Sequence, residues 1–324
     1  MKSSKNKFLS LIIENRIIFI FVIIVIIVSM IEPRFLHITN LINIINQASI
    51  NGIMALSMTI LLICGYFDLS IGAILSFVGM LAIGWQSTLG TINAVLLAIV
   101  IGTLIGLVNG LLVTYGKINS FIVTLGTLTL FKGLSLSLNN SRPISGSNEN
   151  FMLLGGGMIG PIPIPAIIFV IFILIFLFIM KWTNFGRNAY AIRGSEISAK
   201  LSGVRINLYK TSYFVLSGFC ASISGVILAS RLNTGSPNFG DDIPLLVIAA
   251  VVLGGTSLSG GMGTIRGSIF GILVIWVINN SLDLLNVKSY YQMIIRGVIV
   301  IVVVLLDLLY ENVRQKERYK LNES

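Results

Sequence analysis

Long apolar runs recur along nearly the whole chain with only short polar connections between them, and this pattern limits the fold more than any single motif. A helix needs about 20 mostly apolar residues to cross a bilayer. The runs are continuously apolar, whereas the strands of a membrane barrel alternate polar and apolar residues. We therefore predict an all-α, polytopic membrane protein with about ten transmembrane helices. The approximate helix cores are residues 17–31, 42–63, 69–83, 94–113, 121–138, 164–180, 213–230, 243–258, 265–278 and 291–309.

The composition excludes a soluble globular domain, because 55% of the 324 residues are hydrophobic and only 10% are charged. A soluble chain has charged residues at about a quarter of its positions. The net charge of +10 suggests an anionic partner at first sight, but membrane proteins concentrate Lys and Arg in their cytoplasmic segments. We interpret the charge as a topology signal and expect membrane lipid, and no nucleic acid, around this protein.

The basic residues fall in three clusters, which predict the domain organisation. Six apolar runs separate the first cluster from the second, and four separate the second from the third, so all three clusters can lie in the cytoplasm. We predict a cytoplasmic N-terminal segment at residues 1–16 and a cytoplasmic tail at 311–324. The transmembrane domain between them, residues 17–310, would contain one long cytoplasmic segment at 181–210.

Side chains that could support catalysis or bind a metal are scarce. His37, the only histidine, lies beside a predicted membrane boundary, and Cys64 and Cys220 have no C-x-x-C spacing. An intramembrane enzyme would need a nucleophile with a base, or a metal cluster. We therefore expect neither an enzyme nor a metal site.

Asp68, in G-Y-F-D-L-S-I-G, lies between two closely spaced apolar runs. A charge at such a position needs a partner or a helix end. Asp68 can cap a helix that starts at Leu69, where its carboxylate would accept hydrogen bonds from free N–H groups. A role in transport or gating is the alternative, and the sequence leaves both open.

The glycine-rich stretch L-G-G-T-S-L-S-G-G-M-G-T-I-R-G, residues 253–267, resembles a loop that holds a phosphate. Gly261 and Met262 follow its G-x-x-x-x-G pattern, however, where a nucleotide-binding loop needs Lys and then Ser or Thr. We predict a tight turn between two closely packed membrane helices near the cytoplasmic face, and no binding of ATP by this chain.

The polar segment 181–210 contains a short helix signal. Ser195 is a good N-cap for a helix over the next residues, and Ser202-Gly203 ends it. A helix of about two turns is unstable alone, so it must dock on something. It is either an amphipathic linker on the membrane surface or a helix presented to a cytoplasmic partner, with the small residues Ala199 and Gly203 allowing close approach.

Four stretches share their order and spacing with one known family. They are G-I-M-A-L-S-M-T-I-L-L-I-C-G-Y-F-D-L-S-I-G (52–72), V-N-G-L-L-V-T-Y-G-K-I-N-S-F-I-V-T-L-G-T (108–127), F-G-R-N-A-Y-A-I-R-G-S-E-I-S-A-K-L-S-G-V (185–204) and I-A-A-V-V-L-G-G-T-S-L-S-G-G-M-G-T (248–264). From about residue 43 to residue 307, the chain resembles the permease subunits of bacterial ABC importers for ribose, xylose, arabinose and related small sugars.

This resemblance implies a pore-forming subunit in the bacterial cytoplasmic membrane, paired with a second copy or a close homologue. An extracytoplasmic binding protein would deliver the sugar, and a cytoplasmic ATPase would bind the ATP, so that this chain itself needs no cofactor. The third stretch is similar to the segment that couples the permease to the ATPase. The coupling residues that the resemblance implies are Gly194, Ser195, Glu196, Ala199, Leu201 and Gly203.

Some positions depart from the family pattern and leave the substrate open. Tyr66 and Phe67 follow Gly65 where many members have a second glycine, and Pro244 and Leu246 stand at two positions that are often acidic. The alternatives are a permease for a signalling furanone, a cyclitol, a nucleoside or an amino acid. An ion-coupled secondary transporter is a further alternative, although Asp68 is the only candidate for its coupling residue.

The third and eighth runs are short and interrupted by glycine or proline, at residues 69–83 and 243–258. Such a pair points to the central site of a transporter, and its spacing of five suggests two inverted repeats of five helices. A neutral sugar needs hydroxyl and amide partners more than fixed charges. The candidate residues of the translocation pathway are Asn46, Asp68, Ser70, Asn109, Thr124, Thr127, Thr256, Ser257, Asn279 and Asn280.

Overall fold

The computed structural model describes residues 16–146 and 148–322. The first fifteen residues of the predicted N-terminal segment and the last two of the predicted tail lie outside the described residues. Ten apolar helices, labelled α1 to α10, form the described part. They are α1 Arg16–Ile31, α2 Ile38–Ile63, α3 Ile71–Gly84, α4 Thr91–Thr114, α5 Ser120–Leu138, α6 Ile164–Trp182, α7 Ile206–Leu232, α8 Ile243–Leu253, α9 Ile265–Leu284 and α10 Ser289–Asn322.

These helices coincide with the ten predicted runs, so the prediction of an all-α, polytopic membrane protein is confirmed. Six of them, in the part of the chain that is described, are long and apolar enough to cross a membrane: α2, α4, α5, α6, α7 and α9. The apolar stretches of α1, α3, α8 and α10 are shorter, at 10–17 residues.

Several helix ends differ from the predicted cores, among them those of α7, α8 and α10. Helix α7 starts at Ile206, before the apolar run, and its first turns mix buried residues, Ile206 and Lys210, with exposed ones. Helix α8 ends at Leu253 and not at residue 258, because Gly254 and Gly255 begin a turn there. Helix α10 continues as far as Asn322 through the predicted boundary at residue 310.

Short elements connect the apolar helices. The strands β1 Ile144–Ser145 and β4 Thr234–Gly235 pair antiparallel, as do β2 Met158–Ile159 and β3 Ile162–Pro163. The additional short helices are Pro33–Leu36, Gln86–Leu89, Glu149–Gly156, Asn184–Gly194 and Glu196–Leu201.

Helices α2, α3 and α7 form the centre of the bundle. The second half of α2, from residue 48 to residue 63, is buried throughout, and α3 is buried along nearly all of its length. Helices α4, α5, α6 and α10 surround this centre and expose many Leu, Ile and Val side chains. An apolar outer surface of this kind suits contact with lipid tails.

The packing of the two short helices follows the spacing of five that the sequence suggested. Helix α3 packs on α4, α5 and α7. Helix α8 packs on α9, α10 and α2. A shift of five helices relates the two sets: α9 follows α4 by five, α10 follows α5 by five, and α2 precedes α7 by five. Residue 65, just before α3, and residue 260, just after α8, lie against the same side chain, Arg193. The two short helices therefore run in opposite directions, which supports the hypothesis of two inverted repeats.

Candidate functional site

The N-termini of α3 and α8 meet in the interior of the bundle. Non-helical segments precede both helices, at residues 64–70 and 233–242. Gly72, in the first turn of α3, lies so close to Gly240 that a Cβ atom on either glycine would overlap the carbonyl oxygen of the other. Glycine is required at both positions, because only a residue without a side chain lets two backbones approach this closely.

The Asp68 carboxylate is buried at this junction. Its Oδ1 accepts hydrogen bonds from the backbone N–H of Ser70 at 2.9 Å and from the Ser70 hydroxyl at 2.5 Å, and its Oδ2 accepts one from the Ser217 hydroxyl at 2.8 Å. Helix α3 begins at Ile71 and not at Leu69, so the prediction that Asp68 is an N-cap next to Leu69 is wrong in register. Asp68 instead bonds the last N–H before the helix, a local turn that holds the helix start.

Two further predicted residues extend this hydrogen-bonded cluster. The Asn109 amide donates to the Ser70 hydroxyl at 2.9 Å, and the Thr127 hydroxyl donates to the Asn109 carbonyl oxygen at 2.6 Å. The cluster therefore ties the start of α3 to α4, α5 and α7. Because these buried groups satisfy one another, the geometry fits a structural brace.

Other predicted pathway residues lie elsewhere. Thr124 donates to the backbone of its own helix, at the carbonyl of Ser120. Asn280 exchanges two hydrogen bonds with Asn40, at 2.7 and 2.9 Å, and so joins α9 to α2. These are contacts within and between helices of the kind that stabilise membrane bundles.

The remaining four predicted residues occupy separate places. Thr256 and Ser257 are buried in the turn that follows α8. Asn46 lies in the first half of α2, with a buried amide oxygen that has no hydrogen-bond partner among the described residues. Asn279 lines a cavity between α2, α7, α8, α9 and α10. The structure thus does not bring the predicted pathway residues together in one place.

The cavity beside Asn279 has a volume of about 450 Å³. It extends from the end of the bundle away from the segment 181–210, where α7 and α9 end and α10 begins, to the first turn of α8 and the middle of α2 in the interior. Its lining is part polar and part apolar, and it includes several residues that the sequence did not single out: Gln47, Asn51, Arg231, Trp276 and Arg296. No sequence pattern marks them, because helix packing alone decides which residues surround the cavity.

The predicted short helix in the segment 181–210 is confirmed as Glu196–Leu201, and we call it the docking helix. The Ser195 hydroxyl caps it by accepting a hydrogen bond from the Ser198 N–H at 3.2 Å. Gly203 follows with φ +81°, a backbone conformation that favours glycine. The preceding helix, Asn184–Gly194, ends at Gly194, which is one of the predicted coupling residues.

One face of the docking helix is apolar and exposed. Ile197 is 76% exposed and Leu201 is 85% exposed, one helical turn apart, so they form an apolar patch of the kind that marks contact surfaces. Ala199 is buried on the opposite face. The prediction that the small size of Ala199 allows a partner to approach is therefore wrong, since its methyl group packs on this protein's own helices.

Lys210, at the base of α7, links the docking helix to the segment before α3. Its Nζ donates to Oε2 of Glu196 at 2.9 Å and lies 5.4 Å from the centroid of the Tyr66 ring, within the range of a cation–π contact. Tyr66 is two residues from Asp68. Sequence reasoning missed Lys210 because its charge was assigned to topology.

Arg193, just before the docking helix, contacts two turns at once. Its Nε donates to the carbonyl of Ser259 at 2.5 Å, and its alkyl chain covers Gly65 and Gly260, which have φ of +86° and +83°. A movement of Arg193 would therefore be transmitted to the turn before α3 and to the turn after α8.

The glycine-rich stretch forms the tight turn that the sequence predicted. A Cβ on Gly267 would overlap the carbonyl of Gly254, and a Cβ on Gly271 would overlap that of Ala250, so α8 and α9 pack backbone to backbone. The Thr264 hydroxyl caps α9 by accepting from the Gly267 N–H at 3.0 Å.

Comparison with known proteins gives one consistent result. A family described as branched-chain amino acid transport system / permease component matches residues 40–304. The ribose import permease protein RbsC of Bacillus subtilis (strain 168) is 43% identical over 288 residues, 88% of this chain and 89% of the relative. RbsC of Haemophilus influenzae is 40% identical over 300 residues (91% and 93%), and the L-arabinose ABC transporter permease protein AraH of Azospirillum brasilense is 36% identical over 307 residues (93% and 89%). No solved structure matches significantly.

Proposed function

The chain belongs to the family of branched-chain amino acid transport system permease components, and we propose that it is the membrane-spanning subunit of an ATP-driven importer that takes up a small sugar. A permease moves its solute without changing it chemically. The chain is therefore a multi-pass transporter subunit and not an enzyme.

The observation that supports a sugar is the substrate named for the similar permeases. Ribose and L-arabinose are both pentoses, and the permeases named for them are similar to this chain over about nine-tenths of its length. We propose a ribose-like pentose as the substrate. The family description names branched-chain amino acids instead, and this is the rival substrate class.

The docking helix supports an ATPase partner. Ile197 and Leu201 are exposed side by side on this capped, six-residue helix, an apolar patch of the kind that marks protein contacts, and a groove on a second protein would cover both. Arg193 and Lys210 then connect that surface to the segments that precede α3 and follow α8. In this proposal the ATPase binds the ATP, and the permease itself needs no cofactor.

The same assignment sets the orientation. If the docking helix lies in the cytoplasm, the six helices that precede it and the four that follow it place both chain termini there as well. The segment 139–163 and the residues just after α7, which pair with it at Thr234–Gly235, would face outward, where an extracytoplasmic binding protein would dock. A second permease copy, identical or homologous, completes the pore in this proposal.

Reconstitution into liposomes tests the proposal. The chain is combined with the ATPase and the binding protein encoded beside it, and uptake of labelled D-ribose, L-arabinose and L-leucine is measured. We expect pentose uptake that needs ATP, the ATPase and the binding protein together. Uptake of L-leucine alone would show that the substrate is an amino acid and not a pentose. Uptake driven by an ion gradient without the ATPase would contradict the proposed mechanism.

A further inference from the structure

The segment between α7 and α8 runs into the interior of the bundle alongside α3. It starts near the end of the bundle away from the docking helix, where a Cβ on Gly235 would overlap Met80 of α3, and it ends where Gly240 lies against Gly72. Met80 and Gly72 are eight positions apart, which is about 12 Å along a helix axis. The two acids that follow Gly240 therefore lie deep in the membrane-spanning part of the protein.

These two acids form ion pairs with basic residues of the two flanking helices. The Nζ of Lys132, on α5, donates to Oδ1 of Asp241 at 2.5 Å, and Nη1 of Arg296, on α10, lies 3.7 Å from Oδ2 of Asp242. We call these four side chains the charged quartet. Their formal charges cancel. Helices α5 and α10 are five positions apart, so each of the two repeats supplies one base.

The charged quartet is open to the outside of the single chain. The Asp241 side chain is 53% exposed and the Asp242 side chain is 60% exposed. A charged group that faces hydrocarbon is costly. Non-helical backbone at membrane depth occurs where other protein covers it or where it lines a water-filled cavity. Lipid is therefore a poor neighbour for this side of the protein, which needs water and a second protein that keeps the lipid away.

The open surface continues from the charged quartet along α8 and α10. Asp242, Leu245, Met293, Arg296 and Gly297 line one groove of about 140 Å³. Leu245 is 56% exposed and Met293 is 58% exposed, and a Cβ on Gly297 meets no atom within 4 Å. We call the quartet together with Leu245, Met293 and Gly297 the charged face.

We propose that the charged face lines a water-filled pore and that a second copy of this chain forms the opposite wall. The partner must itself span the membrane, because a soluble ATPase or binding protein does not reach this depth. A second copy fits, because a face with equal numbers of acids and bases suits an identical face across a two-fold axis. This inference rests on the proposed function, since it names the surface at which the second permease completes the pore.

Two leucines with similar exposure in the single chain provide a matched pair of variants. Leu245, on the charged face, is 56% exposed, and Leu174, in the middle of α6, is 61% exposed. Each is changed to Cys, and the reconstituted complex is treated with a charged, membrane-impermeant thiol reagent. The native Cys64 and Cys220 are buried, so the parent chain gives the background. We expect Leu245→Cys to react at least about tenfold faster than Leu174→Cys, because the reactive thiolate forms in water.

A bifunctional thiol reagent tests whether a second copy of this chain forms the opposite wall. A water-soluble bismaleimide with a short spacer is added to complexes that carry Leu245→Cys or Gly297→Cys, with Leu174→Cys as the control. Two different tags on co-expressed copies identify both halves of any product. We expect covalent dimers of this chain in the two variants of the charged face and none in the control. If neither variant forms a dimer, or if both link to a different membrane protein, the proposal of a second copy is overturned.

Uptake by the reconstituted complex separates this inference from the proposed function. If the complex imports D-ribose with ATP, but Leu245→Cys reacts no faster than Leu174→Cys or no dimer forms, the charged face is refuted as a pore wall and the proposed function stands. If Leu245→Cys reacts rapidly and dimers form, but only L-leucine is imported, the pore wall stands and the pentose is refuted as the substrate.

Discussion

Oε2 of Glu196 accepts a hydrogen bond of 2.9 Å from Nζ of Lys210, although the Glu196 side chain is 57% exposed and the Lys210 side chain only 9%. The exposed carboxylate thus holds a nearly buried ammonium group in place at the base of α7. The same ammonium group stands over the Tyr66 ring. Charge at position 196 therefore acts on the segment before α3.

Glu196→Lys tests this link. Two ammonium groups would face each other where an ion pair now exists, and we expect the chain to insert normally while ATP-driven uptake falls about tenfold, since a lost hydrogen bond to a charged group is worth ~1.5–3 kcal/mol. ATP hydrolysis by the assembled complex should continue. Glu196→Gln, which keeps an acceptor, is the control. Normal coupled uptake in Glu196→Lys would contradict the prediction.

Gly203→Val tests the end of the docking helix. A β-branched residue at φ +81° is strained by about 1–2 kcal/mol or more, so the backbone there should shift and weaken binding of the ATPase. No atom lies within 4 Å of a Cβ built at Gly203, and the effect must therefore come from the backbone. Gly133→Val, on α5 and away from the docking helix, is the matched control, since Gly133 has open space and no positive φ. Co-purification with the ATPase and sugar uptake are measured. Equal results for the two variants would refute the prediction.

Gly72→Ala and Gly240→Ala test the junction of α3 and α8. Each added methyl group overlaps a backbone carbonyl, and overpacking of this kind costs about 1–3 kcal/mol. We expect a lower melting temperature in detergent and a smaller yield of folded protein. In α5, Gly126→Ala and Gly133→Ala meet open space and should be neutral or stabilising. The prediction fails if all of these variants melt alike.

Asp68→Asn distinguishes a structural role from a gating role. The amide oxygen can still accept from the N–H and hydroxyl of Ser70. The new NH2 group instead meets the Ser217 hydroxyl, which now donates to Oδ2, so that hydroxyl must turn its hydrogen away, and each unsatisfied buried group costs about 1–3 kcal/mol. Ser217→Ala removes a single partner and should cost about 1 kcal/mol. If the role is structural, the melting temperature falls and uptake per folded molecule is kept. Lost uptake at an unchanged melting temperature would show gating instead.

The purified chain alone should neither bind nor hydrolyse ATP. The turn after α8 has Gly261 and Met262 where a phosphate loop carries Lys and Ser or Thr. Fluorescence of a nucleotide analogue, with the purified ATPase as the positive control, measures this. Saturable binding to the isolated permease would contradict the assignment of ATP to the partner.

The helices could be predicted from the sequence because a helix that crosses the bilayer needs an apolar run of matching length. The predictions were wrong where the helix and the apolar run do not have the same ends. The apolar run continues past Leu253, although backbone packing at Gly254 ends the helix there. The base of α7 is helical but polar, since Lys210 is covered by the docking helix and by Tyr66.

The candidate site was only partly predictable. The sequence shows which residues are polar, but it does not show which of them lie next to each other in the folded protein. The sequence could select Asp68, Ser70, Asn109 and Thr127 as polar groups in apolar helices, but not their mutual bonding. Likewise Asn279 and Asn280 look equivalent in the sequence. The rotation of α9 decides that one lines the cavity and the other meets Asn40.

The hydrogen bond between Ser217 and Asp68 also has a consequence for how the protein is made. The two residues are 149 positions apart, so the ribosome completes α3 long before α7 exists. Until then, the Asp68 carboxylate lacks its partner on Oδ2 and is costly in lipid. The six helices that precede α7 should therefore stay with the insertion machinery until α7 arrives, and a chain truncated before Ser217 should be degraded.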